Sequence, residues 1–310
     1  MKQLTRSEIE SHTARIWTEA YPEQPQTTAE IAAYNRTILE GAHEEHWLAA
    51  NGEAVITLFA PSAVMPPERL TGSLCVSPRN EAGTSELISK AEARTQAVGS
   101  GALNLWARSD KSDQIAELEA SGYQVIQVVP TSFLNIQSFS DESFKELVDK
   151  LPYRVASIEE LEREGTEWVR RLFTATSEIS QDVPDPHDYE PMSFEQYAEM
   201  IKNPVIYDYG LMFVAMDGEA IVGYTRASPT EGDSGRVNTG LSGTIRSHRR
   251  RGVVTALKVR AIAELKRRGC HTLQTENDAS NPMYEVNLRL GFKWAFDWRL
   301  YERRFTDIAV

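Results

Sequence analysis

Two cysteines, Cys75 and Cys270, are all that the 310 residues contain. Two thiols cannot build a disulfide framework, so a reducing, cytoplasmic setting is expected. Long apolar runs are missing as well. No stretch approaches the roughly 20 residues of a membrane-spanning helix, and the opening Met1-Lys2-Gln3 leads into no signal-peptide apolar core. There is no nucleotide-binding loop ending in Gly-Lys-Ser/Thr and no dinucleotide glycine triplet. Positive charge is scarce: 33 Lys and Arg stand against 45 Asp and Glu, a net of −12. That balance opposes DNA, and no zinc finger or RNA-binding aromatic motif appears. His43-Glu44-Glu45-His46 places two His at i, i+3, not at the i, i+4 of a zinc protease, and reads as the solvated end of a helix. What is present is ordinary for a globular protein, 41% apolar and 25% charged. The length suits two domains of about 150 residues, each able to bury its own core.

The scarce positive charge is concentrated. Residues 246–268 hold nine Lys or Arg against one acid, Glu264, a local net of +8 that leaves −20 for the rest of the chain. Ser242 to Ile245 has the character of a strand end, and Arg246, Ser247 and His248 break the pattern. Val254, Leu257, Ala261 and Leu265 then recur at helical spacing. They predict an amphipathic helix to about Arg268, stopped by Gly269. Arg249-Arg250-Arg251-Gly252 therefore stands at a helix start. The N–H groups of Gly252, Val253 and Val254 lack partners inside the helix and, with its dipole, suit an anion. Gly252 allows close approach to the backbone. Arg249 and Arg251 can add charge-assisted hydrogen bonds worth roughly 1.5–3 kcal/mol each. A solvated basic helix face is the plainer reading of the charge; a glycine directly after three arginines favours a phosphate cradle. A strand, Thr272-Leu273-Gln274-Thr275, follows, then Asn277, Asn281-Pro282-Met283-Tyr284, Asn287 and Leu290-Gly291-Phe292.

Together these elements resemble the GCN5-related N-acetyltransferase (GNAT) superfamily, over about residues 153–304. The family's cradle motif, Arg/Gln-x-x-Gly-x-Gly/Ala, is met by Arg249-Arg250-Arg251-Gly252-Val253-Val254 except at Val254, where only the N–H is needed. The resemblance implies an α/β (α+β) fold, a mixed twisted sheet flanked by helices, whose central strands part to admit the pantetheine arm of acetyl-CoA. It implies that Gly243, Thr244 and Ile245 pair with that arm through their backbone. Arg251, Gly252, Val253, Val254 and Thr255, with Arg249 and Arg250, would hold the pyrophosphate; Asn277, Asn281 and Asn287 would lie on the other side. Many members place a Tyr four residues before the glycine of Gly-Phe to protonate the leaving thiolate. Here Asn287 occupies that position. Tyr284 shares its helix face at i, i+3 and is the substitute acid, or else a half-buried packing residue. Glu276 is the candidate general base. Asp185, Asp188 and His187 of the Pro-rich acidic segment 181–192 are alternatives, and a strand N–H near Gly243 or Thr244 is the oxyanion donor. Asn238 and Thr239 lie where a family base is sometimes found, but neither titrates usefully.

The expected activity is direct transfer of an acetyl group from acetyl-CoA to the primary amine of a small molecule. The acceptor is expected between segment 181–190 and the sheet gap, with the acidic remainder of the chain steering cations toward it. Neither nucleic acid, membrane nor metal is expected, and the chain is read as a monomer or homodimer. Two other readings stay open: a protein that binds CoA without catalysis, and an enzyme using another acyl-CoA.

The chain also repeats itself. Gly252 and Gly291 are 39 residues apart, as are Gly83 and Gly122, which lie 169 residues upstream. Gly122-Tyr123 mirrors Gly291-Phe292, and a helix from Thr84 to Ala97 and a strand from Leu103 to Ala107 fall in the same order. Asn80, Glu81 and Ala82 replace the three arginines, putting an acid where pyrophosphate would bind. Residues 1–150 are thus read as a degenerate GNAT-like domain, or alternatively an unrelated α/β domain, and 151–310 as the active one, with the boundary near Asp149-Lys150-Leu151-Pro152. Ser157-Ile158-Glu159-Glu160 reads as a capping box, and Asp217-Gly218 as a hairpin turn.

Overall fold

The structure, a computed structural model, describes residues 1–36, 42–61, 65–78, 83–165, 167–186, 191–204, 207–230, 232–233 and 235–305. The first half runs β1 (Lys2–Leu4), α1 (Arg6–Ala20), α2 (Thr28–Asn35), β2 (Glu44–Leu48), β3 (Ala54–Phe59), β4 (Arg69–Val76), α3 (Gly83–Ala97), β5 (Ala102–Arg108), α4 (Ser112–Ala120) and β6 (Gln124–Asn135). The second runs α5 (Lys145–Asp149), β7 (Arg154–Ser157), α6 (Ile158–Arg163), α7 (Val169–Ser180), α8 (Phe194–Met200), β8 (Met212–Asp217), β9 (Ala220–Pro229), β10 (Arg236–Thr244), α9 (Val253–Arg267), β11 (Thr272–Glu276), α10 (Pro282–Arg289) and β12 (Lys293–Arg304). The α/β class expected from the sequence is the one observed.

The chain forms two compact units, one built on Met1–Val129 with the residues from Phe296 onward, the other on Pro130–Thr230 with the stretch ending at Ala295. Both have the same plan. The first orders its strands β1-β2-β3-β4-β5-β12, antiparallel except for parallel β4–β5. The second orders them β7-β8-β9-β10-β11-β6, antiparallel except for parallel β10–β11. The closing strand of each unit comes from the other half of the chain. Trp298–Arg304 of β12 pair with Arg108–Ala102, and Thr131–Asn135 of β6 pair with Glu276–Thr272. Cutting the chain at 150/151 keeps the first five strands of each unit together and assigns the two closing strands the other way round.

The repeat read from glycine spacing is structural. β6 and β12 have 12 residues each and begin 169 residues apart, the same offset as Gly83 and Gly252. Gly122 and Gly291 follow α4 and α10 in the left-handed conformation, at φ +83° and +93°. Behind them the N–H of Tyr123 donates to the Leu118 carbonyl at 3.0 Å, and that of Phe292 to the Asn287 carbonyl at 3.1 Å. This six-to-one bond is the Schellman helix stop, which favours glycine because a Cβ resists positive φ. Asn80, Glu81 and Ala82 lie outside the described residues.

In the second unit, alternation along β8 sorts the core onto two faces. Met212 and Val214 pack with Leu172, Ala175 and Ile179 of α7. Phe213 and Ala215 pack with Val253, Leu257 and Ala261 of α9. Ser157 caps α6 in a reciprocal box with Glu160, and Gly218 turns the β8–β9 hairpin at φ +58°. The His43–His46 segment departs from expectation. It lies in strand β2 and its approach, not at a helix end, because Glu44–Leu48 pair with Phe59–Val55 of β3. His46 contacts Glu44 at 2.9 Å and Thr57 at 3.0 Å, and Glu45 pairs with Arg94 at 2.6 Å. Among the described residues no group of His, Cys, Asp and Glu is arranged to hold a metal, and no helix is long and apolar enough to cross a membrane.

Candidate functional site

β10 and β11 pair only where Arg236–Asn238 meet Thr272–Gln274; beyond that point β10 runs on to Thr244 and β11 to Glu276 without pairing with each other. At the fork, Thr239 Oγ1 donates to Thr275 Oγ1 at 2.9 Å. Against β9, β10 carries a bulge: Gly240 and Leu241 together oppose Arg226, between the pairs Thr239–Ala227 and Ser242–Thr225. The ladder resumes at Gly243–Tyr224 and Thr244–Gly223. The N–H of Ile245 donates to the Val222 carbonyl at 3.0 Å, so it is not available to a ligand in the gap. By strand alternation Gly243 faces the same side as Ile245, leaving Thr244 turned toward the gap. The Thr244 carbonyl accepts from Arg249 Nε at 3.1 Å.

β10 leads into the basic segment. Arg250 (φ +60°) and Gly252 (φ +78°) are both left-handed, and Arg250 is the one non-glycine residue with positive φ among the described residues. A left-handed non-glycine residue costs about 1–3 kcal/mol and tends to mark a functional site. Left-handed residues among ordinary ones turn successive N–H groups to one side, forming a nest for an anion. Gly252 is the N-cap of α9 and supplies no side chain to satisfy the first turn. Arg251 Nη1 donates to the Tyr153 hydroxyl at 2.8 Å. Asp182 accepts from Arg246 at 2.8 and 3.0 Å and also pairs with Arg249. Those two guanidiniums, Arg246 first, hold its carboxyl down at about 2. This acid of the 181–192 segment therefore offsets part of the basic island, pairing with two of its nine cations. His187 and Asp188 lie outside the described residues.

Across the gap, the three asparagines have different tasks. Asn281 caps α10, its Oδ1 accepting from the Met283 N–H at 2.9 Å. Asn277 Oδ1 accepts from Thr275 Oγ1 at 3.2 Å and from Asn287 Nδ2 at 2.5 Å. Asn287 is fully buried (0% exposed) and also donates to Thr275 Oγ1 at 3.3 Å. Its side chain braces the fork from inside rather than lining a ligand surface. Asn287→Leu should lower stability by about 1–3 kcal/mol through unsatisfied partners, measurable as a reduced denaturant midpoint; an unchanged midpoint would show the network to be idle.

Tyr284 is half-buried, and Glu276 ends β11. Protein surrounding the Glu276 carboxyl pushes its pKa up, although the residue keeps an open face to solvent; the Gln274 side chain, donating at 2.9 Å, and the charge of Arg236 act the other way. Lys258 of α9 is 4% exposed, and lost hydration pulls its pKa down to about 8. A lysine depressed on folding makes the protein more stable as pH rises from about 8 toward the ordinary lysine value, because the unfolded chain holds the proton longer. Lys258→Met should flatten that rise in pH-dependent unfolding; an equal rise in both proteins would remove Lys258 as its source.

A cavity of ≈ 220 Å³ adjoins the bulge, walled by Phe173, Tyr197, Tyr207, Tyr224 and Leu241 with Arg226 among them. These residues come from α7, α8, the segment before β8, β9 and β10, so no local motif announces them. Tyr197 and Phe173 pack with ring centroids 5.3 Å apart, and Arg226 lies over the Tyr207 ring at 4.6 Å.

Residues 167–292 match the Acetyltransferase (GNAT) family. No curated protein is a significant sequence match. Among solved structures, a GCN5-related N-acetyltransferase from Sphaerobacter thermophilus superposes with a TM-score of 0.70 at 15% identity, over 97% of this chain and 95% of that one. A tandem GNAT protein from the clavulanic acid biosynthesis pathway gives 0.71 at 16%, over 97% of both. A glucosamine N-acetyltransferase region within a fungal multi-domain β-N-acetylglucosaminidase gives 0.66 at 14%, over 97% of this chain and 38% of that one. Residues 167–292 thus carry the GNAT acetyltransferase family match, and the chain as a whole has the fold of a tandem GNAT protein.

Proposed function

We propose that this protein transfers an acetyl group from acetyl-CoA directly to the primary amine of a small molecule, using the second unit. The observation that carries this reading is the fork between β10 and β11, with the left-handed Arg250–Gly252 nest following one branch and the bulge of Gly240–Leu241 beside a small cavity. The uncapped first turn of α9 fits a pyrophosphate, held by the backbone from Arg251 to Thr255 with Arg249 and Arg251 on its flanks. Acetyl-CoA would supply an electrophilic thioester carbonyl and a leaving thiolate. The chain would bind that carbonyl through an N–H on β10; Thr244, turned to the gap, and the bulge residues are the candidates. Glu276, with its pKa raised, would take the amine proton directly or through water, and Tyr284 would return a proton to sulfur. Small-amine specificity is supported by the size of the cavity, below the ~300–1,000 Å³ of pockets for drug-sized ligands, and by the structural neighbour that acts on glucosamine. The Asn287 brace at the usual tyrosine position is what favours a second reading, CoA binding without turnover. Thiol release from acetyl-CoA with a panel of small amines separates the two: amine-dependent release supports transfer, and CoA binding with no release for any amine supports the binder. Propionyl- and succinyl-CoA in the same assay test the donor.

The clamp at Asp182 gives a further expected result. Arg249 must leave Asp182 to meet a phosphate. Asp182→Asn removes that competitor and should tighten CoA binding several-fold, well under the hundredfold that a fully buried ion pair would imply. Weaker CoA binding in this variant would mean that Asp182 holds the cradle in shape rather than competing with the ligand.

A further inference from the structure

We propose that Lys258 holds the arm of the acyl donor, its ammonium donating to an amide carbonyl between the nest and the thioester. This deepens the acetyl-CoA reading above and rests on it. On that reading the pyrophosphate lies at the start of α9 and the thioester beside the bulge of β10. The amide-bearing arm that joins them then follows the open edge of the fork.

Lys258 stands beside that edge. α9 links the parallel strands β10 and β11, so it runs back over them. Its Leu257 and Ala261 share a core cluster with Phe213 and Ala215 of β8 and Val222 of β9. Its Ile262 and Leu265 share another with Val237 of β10 and Leu273 of β11. On the circumference of the helix Lys258 falls between Ala261 and Ile262, and so faces the junction of β10 and β11. Leu265 is two turns further along, about 10 Å. Lys258 is thus about three strand residues beyond Val237 and Leu273, level with Gly240 and Glu276. The β10–β11 pairing has already ended there, at Asn238 and Gln274. Helical side chains lean toward the N-terminus, which aims Lys258 toward the nest.

The residue is 4% exposed, yet among the described residues its ammonium has no hydrogen-bond or ion-pair partner. A buried ammonium without an acceptor is costly, and an arm carbonyl would offset that cost with a charge-assisted bond. The polar groups of the fork bond one another instead: Thr239 donates to Thr275, and Thr275 to Asn277. Strand alternation turns Arg236 and Glu276 to the opposite face of the sheet, and Glu285 and Arg289 of α10 are exposed. Lost hydration alone depresses the Lys258 pKa, as expected of an ammonium with no charged neighbour.

The test uses the full chain with two ligands: CoA, read by isothermal calorimetry, and 3′-phosphoadenosine 5′-diphosphate, read by ligand-observed NMR, which detects weak affinities. The second keeps the phosphates and lacks the arm. Lys258→Met keeps the stem and removes the donors, with circular dichroism as a check of folding. CoA should bind this variant about tenfold to a hundredfold more weakly, the range of a hydrogen bond to a charged group, while the armless ligand keeps its affinity. Lys258→Gln, which retains a neutral donor, should recover part of the loss, and it takes the place of Lys258→Met if that variant does not fold. Equal loss for both ligands would make Lys258 a phosphate-binding or structural residue, and no loss for either would leave it satisfied by water; each overturns the proposal. Failure of the unmodified chain to bind either ligand would overturn the acetyl-CoA reading itself, and the proposal with it.

Discussion

Gly252→Val is expected to abolish measurable CoA binding while leaving the chain folded. Gly252 holds φ +78° at the N-cap of α9. A side chain in that conformation costs about 1–2 kcal/mol, and its Cβ would approach Leu147 Cδ1 to 2.9 Å. Leu147 is exposed and its tip can move aside, so the strain at positive φ is what favours a shift of the backbone, and with it of the N–H groups of Val253 and Val254 that form the nest. Loss of the nest should weaken CoA by at least a hundredfold, equivalent to about 2.7 kcal/mol. Arg249→Ala and Arg251→Ala should each cost several-fold to a hundredfold, because water partly replaces their hydrogen bonds at an open site. Isothermal calorimetry with CoA, alongside circular dichroism as a check of folding, reads all three. Normal affinity in Gly252→Val would mean that phosphate is not bound at the start of α9.

The second large effect concerns the proton that the leaving sulfur needs. Tyr284 shares a face of α10 with Asn287 at i, i+3, but the two differ in access: Asn287 is buried and tied to Asn277 and Thr275, whereas Tyr284 is half-exposed. Tyr284→Phe keeps the ring and removes the hydroxyl. It should lower kcat roughly ten- to a thousandfold, the range of general-acid contributions, with CoA affinity nearly constant because the cradle is untouched. Full kcat in this variant would return Tyr284 to a packing role and leave water as the proton source.

How much of this was legible in the sequence follows from how local each signal is. The α9 helix, its glycine cap, the capping box at Ser157, the hairpin at Gly218 and the two Gly-aromatic turns are each written within a few residues, and the structure has them where the sequence puts them. The second half of the 169-residue repeat was legible because the left-handed turns at Gly122 and Gly291 favour glycine. The exchange of β6 and β12 was not, since the pairings of β6 with β11 and of β12 with β5 that decide it are non-local. The His43–His46 segment was misread as a helix end because its spacing is compatible with a helix, while the pairing with β3 that decides it is non-local. The sequence pattern treated Asn277, Asn281 and Asn287 alike, and the structure separates them into a hydrogen-bonded acceptor, a helix cap and a buried brace. Arg226 and the aromatic walls escaped notice because the cavity draws on several elements far apart in the chain. A lone Arg within the apolar strand Ala220–Pro229 was the one available sign.

The second unit alone is expected to grip the acyl donor. Calorimetric titration of the full chain with acetyl-CoA should then give one site per chain, lost in Gly252→Val and retained in the matching first-unit variant Gly83→Val. Two equivalent sites, or a single site that survives Gly252→Val and disappears in Gly83→Val, would contradict it.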